Sequence, residues 1–259
     1  MKIKILAFNH KFNFIFAILF LNCLVFSLYQ KYDIYFWLSV YFVYFLSFGL
    51  GVGMTLHRVI SHSAAKIPKP LLYFFAYLGS ISQSGPPLKW LVGHNLHHQF
   101  ADTPKDPILP TLKGLNHLLG QFNPVAESEF TKILLVNAQS PFFKDRFLKS
   151  LDDYHYFYTL ITYLVCFVFF GIKGVCIFVL GNIGALAGTS IITYLAHVKK
   201  LGSSDHVMPN SSVNMYGLFL FFFGEEIHNN HHAHPKAISN SEQPLQIDII
   251  GSILILIKT

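Results

Sequence analysis

Charge is scarce in this chain. Asp, Glu, Lys and Arg make up 12% of its 259 residues while 53% are hydrophobic, and a water-facing globular surface needs about twice that share of charge. Acidic residues are the rarer sign, 13 against 19 basic, which leaves a formal net charge of +6. Cysteine is nearly missing. Cys23, Cys166 and Cys176 all lie in apolar runs, where a thiol is a small packing group rather than half of a disulfide or a metal ligand. This composition excludes a soluble globular domain, a disulfide scaffold and a thiolate zinc module. There is no soluble basic segment interleaved with aromatics, so the positive balance does not point to nucleic acid. No repeat, flexible linker or break in composition divides the sequence, and 1–259 reads as one domain.

Long apolar runs are what the chain has instead. Segments 13–29, 34–54, 156–170 and 174–196 predict four membrane-spanning helices, since about 20 apolar residues cross a hydrocarbon core of about 30 Å. The last two are separated only by "GIKG". A fifth run, 71–82, is too short to span and predicts an interfacial or re-entrant helix. The basic, then apolar, start resembles a secretory signal, but no small-x-small cleavage site follows it, so it reads as an uncleaved first span. With four spans, every Lys and Arg except Lys31 and Lys173 falls on one side. That side is cytoplasmic by the positive-inside rule, and anionic lipid headgroups account for the excess of basic charge.

Histidine supplies the chemistry. "HRVISH" (His57, His62) follows the second span, "HNLHH" (His94, His97, His98) follows the short helix, and "HNNHH" (His228, His231, His232) lies in the tail. All three fall on the cytoplasmic side, close to the membrane. On a helix, positions i, i+3 and i+4 share a face, so each His-x-x-His-His trio predicts three imidazoles aimed at one place. Residues five apart diverge by about 140° on an ideal helix. His57 and His62 are therefore expected at a frayed helix end or on different metals. Eight imidazoles exceed one tetrahedral zinc and suit two octahedral-like transition metals, among which the ligand type does not choose. A zinc protease needs H-E-x-x-H or its inverse, which is absent. Paired haem ligands would number fewer and lie within the spans.

In order and spacing, from about residue 51 to the C-terminus, the chain resembles the membrane-bound fatty acid desaturases. The closest branch is the Δ9 acyl desaturases, whether of stearoyl or acyl-lipid type. The first box begins "HR" with four intervening residues, and the second continues "HNLHHQFADTPKDP" like that branch's D-T-x-x-D-P. The third, "GEEIHNNHHAHP", resembles G-E-x-aromatic-H-N-N-H-H-A-F-P, and "QIDIIGSILILI" resembles the closing amphipathic helix. A front-end desaturase would carry glutamine at His228. The resemblance implies four transmembrane helices in two hairpins under a cytoplasmic helical cap, an all-α membrane fold. It implies two ferrous ions that use dioxygen to place a cis double bond in a saturated acyl chain, at Δ9. An unactivated methylene has no acidic proton for a general base, so a redox metal has to carry that step. The implied partners are the acyl substrate, dioxygen, membrane lipid and a separate electron donor, either ferredoxin-like or a b-type cytochrome with its reductase.

The eight boxed histidines are then iron ligands, and the resemblance adds His197 as a ninth. The family has an asparagine four residues before that histidine, holding a water on iron; here it is Thr193. Asp102, Asp106 and Glu225 are candidate carboxylates for orienting ligand rings, and Trp90 is expected to line the substrate site. Two departures bear on the acyl carrier. Where the acyl-CoA enzymes have W-x-R-D-H, this chain has "WLVGH", so Val92 and Gly93 replace the pair that serves coenzyme A. A lipid or acyl carrier protein gains weight as carrier. Glu226, Ile227 and His234 also depart from the third box without touching a ligand position. His10, His117, His155, His206 and His234 are expected on the surface. Gly181, Gly184 and Gly188 share a helix face, for close packing or for room along an acyl chain. The competing functions are a related di-iron hydroxylase acting on alkanes or carotenoids and, more remotely, a metal-binding membrane transporter or sensor.

Overall fold

The computed structural model describes residues 10–108, 131–132, 136 and 139–259, with side chains from residue 14 onward. Helix α1 (His10–Tyr29) leads through a short turn into α2 (Ile34–Tyr44), whose first turn is capped by the Asp33 carboxylate on the Phe36 amide. From there α2 continues without a break into a wider π-helical segment, Phe45–Ser61, in which hydrogen bonds run to the fifth residue back. Helix α3 (Lys69–Gly79) folds back onto that segment. The two cross at Gly51 and Gly79, where a Cβ on Gly51 would stand 2.5 Å from the Gly79 nitrogen. Only glycine lets two backbones meet this closely. The short apolar run is thus a packed helix beside the π-helical segment.

Past α3, Gln83 takes a left-handed φ of 64° and the chain turns into α4 (Pro87–Phe100). Proline suits the first turn of α4 because its missing N–H has no helical partner there. The next two amides, Leu88 and Lys89, donate to the Asp152 carboxylate on α5 (Arg146–Asp153). Helix α6 (His155–Leu195) has 41 residues, broken at Gly171, whose φ is 62°. Its limbs run antiparallel, because Gln83 bonds Thr159 on one limb while its neighbour Ser84 meets Thr189 on the other. At the Gly171 end, Lys173 lies 5.2 Å over the Tyr32 ring. The two basic residues predicted for the short loops therefore share one end of the molecule, away from the histidines.

Among the described residues, two helices are long and apolar enough to cross a membrane, Ile34–Ser61 and His155–Leu195, and Phe14–Tyr29 is a shorter apolar helix. Their outward faces carry exposed Leu160, Val168 and Phe169, while Ser47 and Asn182 are buried and bonded to each other. An apolar exterior around a polar interior contact is consistent with association with a membrane. Gly181 and Gly188 pack against Val43 and Tyr44 of α2, leaving no space for a side chain, so that face serves helix packing. At the other end, α7 (Phe219–Phe222), α8 (His228–Ala233) and α9 (Ile249–Ile257) close over the π-helical segment. Ile250 and Leu254 of α9 enter the main core and Leu256 faces out. No β-sheet forms among the described residues; isolated bridges join Asn214 to Ser203 and Ile227.

Candidate metal centre

Among the described residues, nine histidines converge at the end of the bundle, in two sets. One comprises His57, His62, His94, His98 and His231; the other comprises His97, His197, His228 and His232. The split differs from the expectation of three imidazoles per trio aimed at one place. In each box the i and i+4 rings stay together while the i+3 ring crosses to the other set. The paired rings meet Nε2 to Nε2, His94 with His98 at 3.0 Å and His228 with His232 at 3.1 Å. His97 and His231 are the members that cross. Neither is His57 separated from His62, since their rings lie 5.1 Å apart in one set. The reason is the π-helical turn: the His62 amide bonds the His57 carbonyl, so residues five apart sit one above the other rather than about 140° around.

Carboxylates hold several rings from behind. Glu225 bonds Nδ1 of His57, Asp106 bonds Nδ1 of His97 at 2.9 Å, and Asp102 bonds Nδ1 of His197 at 3.1 Å. Each fixes the tautomer, placing the proton on Nδ1 and the lone pair on Nε2. Burial alone would raise the Glu225 carboxyl; beside His57 and Arg58 it is held below its ordinary range. Asp102 is likewise held low by His197 and Ser211 against the effect of burial. Burial, reinforced by neighbouring imidazoles, pushes His62, His94, His98, His228, His231 and His232 well below their ordinary value. Neutral rings are the form that binds metal.

The donor set suits metal ions. His57 and His231 face each other Nε2 to Nε2 at 2.9 Å, His62 and His94 at 2.8 Å, and His98 and His231 at 2.9 Å. Lone pairs crowded this way repel unless a cation lies among them. Ligands at about 2.1 Å from one metal, with bonds at right angles, stand about 3.0 Å apart, whereas tetrahedral ones stand about 3.4 Å apart. In the four-histidine set, Nε2 of His97 and of His197 is buried without a hydrogen-bond partner. An orphaned buried acceptor costs about 1–3 kcal/mol, and a metal removes that cost.

A cleft of about 960 Å³, open mouth included, runs from these rings between the helices. Its lining includes Trp90, Gly93, Gln83, Thr189 and Thr193. Trp90 stacks on His94 at 4.7 Å. The Thr193 hydroxyl donates to the Thr189 carbonyl at 2.8 Å, so toward the cleft it offers only oxygen lone pairs. Val92 is buried in the core, while Gly93 opens on the cleft with nothing within 4 Å of an added Cβ.

Other expectations fare differently. His155 is not a surface residue: it is buried and 3.1 Å from Ser80 Oγ, because the start of α6 packs under the turn after α3. His206 and His234 are partly or well exposed and share Glu242. His117 and the side chain of His10 lie outside the described residues. Sequence reasoning missed a buried ionic chain in which Arg58 bonds both Glu225 and Asp248, at 2.9 and 2.6 Å. Arg58 stands next to His57 in the first box, a signal that was present; nothing in the sequence marks Asp248. Also missed was Ser211, whose amide and hydroxyl both donate to Asp102.

The family model for fatty acid desaturases matches residues 35–244. The chain belongs to the fatty acid desaturase family. Among its relatives, Delta-9 acyl-lipid desaturase 1 of Arabidopsis thaliana is 32% identical over 78% of this chain and 65% of its own length. Delta-9 acyl-lipid desaturase 2 of the same plant is 31% identical over 82% and 68% respectively. Icosanoyl-CoA 5-desaturase of Limnanthes douglasii is 30% identical over 83% of this chain. The chain spans 65% and 60% of the length of the first and third of these relatives. The family is one of oxidoreductases, and its matched region contains all nine clustered histidines.

Proposed function

We propose that this chain is a fatty acyl desaturase that crosses the membrane four times, with its histidine centre on the cytoplasmic side. The observation that carries the reading is the pair of histidine sets, each with ring nitrogens turned inward, at the end of a cleft between apolar helices. The break at Gly171 supports two passes within α6: unbroken, its 41 residues would be about 60 Å long, twice a hydrocarbon core. His57, His62, His94, His98 and His231 would hold one iron ion, and His97, His197, His228 and His232 the other. When bound, the pair of irons supplies an oxidant strong enough to break unactivated C–H bonds. The balanced change is R–CH2–CH2–R′ + O2 + 2 e− + 2 H+ → R–CH=CH–R′ + 2 H2O, with electrons from a separate donor.

The chain's own groups do the rest. Glu225, Asp106 and Asp102 hold ligand rings in one tautomer. Trp90, stacked on His94, forms a wall against which methylenes pack. The four-histidine set has one ring fewer, which leaves a place that a water held by Thr193 would complete.

Carrier and position follow from the second box and the relatives. No guanidinium–carboxylate pair stands at Val92 and Gly93, so bidentate recognition of a phosphate is missing there, and an acyl-lipid or acyl carrier protein substrate is favoured over free acyl-CoA. Δ9 insertion rests on the resemblance in the boxes and on the two acyl-lipid relatives. Expression in a desaturase-deficient host, with gas chromatography of the fatty acids, tests the position, and turnover of matched acyl-lipid and acyl-CoA tests the carrier. The expected product is a new monounsaturated chain with its double bond at carbon 9. A hydroxylated product would replace this reading with the hydroxylase one.

A further inference from the structure

A third group of metal-ligating side chains lies outside the two sets: His206, His234 and Glu242, whose ligand atoms fall within 4.8 Å of one another. They come from three separate segments, the loop after α6, the end of α8 and the loop before α9. Glu242 stands between the two imidazoles, 2.8 Å from Nε2 of His206 and 3.7 Å from Nε2 of His234. The two rings meet edge to face at 4.9 Å. An ion pair explains His206 and Glu242 alone, but 3.7 Å is too long for His234 to be hydrogen-bonded. One shared ligand explains all three. Two imidazoles and one carboxylate, with solvent at the fourth position, make a donor set that suits a zinc-class divalent ion. Its ligand atoms would stand about 3.4 Å apart, within the 4.8 Å over which one nitrogen or oxygen of each residue already gathers.

The group is also pre-formed. The backbone of His206 is tied to α8 in both directions: its amide donates to Asn229 Oδ1 at 2.7 Å, and its carbonyl accepts from Asn229 Nδ2 at 3.1 Å. The His234 amide caps α8 on the Asn230 carbonyl, and the Glu242 amide donates to Gln246 Oε1. We infer that His206, His234 and Glu242 form a solvent-facing site for a single zinc-class ion, distinct from the two histidine sets. The ion fastens the loop after α6 to α8. That loop also carries Ser211, which holds Asp102, so the site braces one carboxylate of the main centre from outside.

The test is zinc binding by tag-free, iron-loaded full-length protein in detergent, followed by equilibrium dialysis against micromolar Zn2+ and metal analysis of both elements. One zinc per chain is expected, with iron unchanged. His234→Phe should bind that zinc more than about tenfold more weakly, because losing an outer partner alone weakens a metal site 10–100-fold. Glu242→Gln, at an exposed position that leaves folding intact, should do the same. Zinc should raise the thermal midpoint of the unaltered protein and leave that of His234→Phe where it was. No uptake at these concentrations would overturn the inference. So would equal uptake by both variants, or zinc gained only as iron is lost.

Discussion

The two histidine sets are built on different plans. In the five-histidine set the rings fix one another: His94 touches both His62 and His98, and His231 touches both His57 and His98. Among the described residues, one carboxylate, Glu225, stands directly behind it, and that carboxylate is shared with Arg58. The four-histidine set is sparser, and it relies on two carboxylates, Asp106 and Asp102, behind rings whose inner nitrogens have no other partner. Crowding orients the first set and hydrogen bonding from behind orients the second. Damage to the supports should therefore read out as altered stability in one and as altered metal affinity in the other.

Deleting a ring gives the largest effect and ignores the difference in plan. His94→Ala and His97→Ala should each abolish turnover, and each should lower iron from about two per chain toward one, measured by metal analysis after anaerobic purification. His197→Ala should behave as they do, although it lies outside every box, while Lys200→Ala on the exposed turn beyond it should keep iron and activity. An iron-replete, active His197→Ala protein would leave His197 with a helix-capping role only.

Removing the carboxylates separates the two sets. Asp106→Asn and Asp102→Asn should weaken iron binding about 10–100-fold with little change in thermal midpoint, since each removes a hydrogen-bond acceptor behind a ligand. Glu225→Gln breaks a buried ion pair as well, a class of change that costs about 3 kcal/mol or more. It should lower the thermal midpoint of the metal-free protein, which the two Asp variants do not. Equal midpoints for all three metal-free variants would remove the distinction.

The boxes themselves were legible because imidazoles at i, i+3 and i+4 have one geometric meaning, and apolar runs with a basic side gave the helices and their common end. The sharing of rings between sets was not legible. Spacing places His94, His97 and His98 on one face, but the partner ring from another element decides which nitrogens meet. Of the two expectations for His57 and His62, a helix end holds, since His62 caps the segment that ends at Ser61, and different metals fails; the period was taken as 3.6 residues, and no residue in the run 45–61 announces a π-helical turn. The ionic chain through Arg58 stayed hidden for the usual reason with long-range pairs: Asp248 is 190 positions away. His155 was placed at the surface because a lone histidine outside the boxes carries no sign of the packing above it.

Smaller effects sharpen the account around the cleft and its supports. Gly93→Asp fits the open space beside the cleft and should leave turnover of acyl-lipid within a few-fold, with activity assayed on matched acyl-lipid and acyl-CoA. Val92→Arg would bury a charge in the core and is expected to cost folding instead. The smallest effect concerns Asp152, which burial pushes up to about 6 although the Leu88 and Lys89 amides pull it down. A carboxyl raised in the folded state adds stability that is full below its unfolded value, near 4, and is lost as pH rises through 6. Over that window the thermal midpoint of the unaltered protein should fall relative to that of Asp152→Asn, because the buried histidines titrate alike in both and cancel in the comparison. Asp152→Asn keeps one acceptor oxygen for those amides and cannot titrate, so it should lack that dependence.

The most direct test is a count of iron in protein purified without oxygen, set beside the same count in His197→Ala. Two histidine sets predict close to two irons per chain in the unaltered protein and close to one in the variant, with desaturation lost. One zinc and no iron in an active preparation, or two irons in an active His197→Ala, would contradict it.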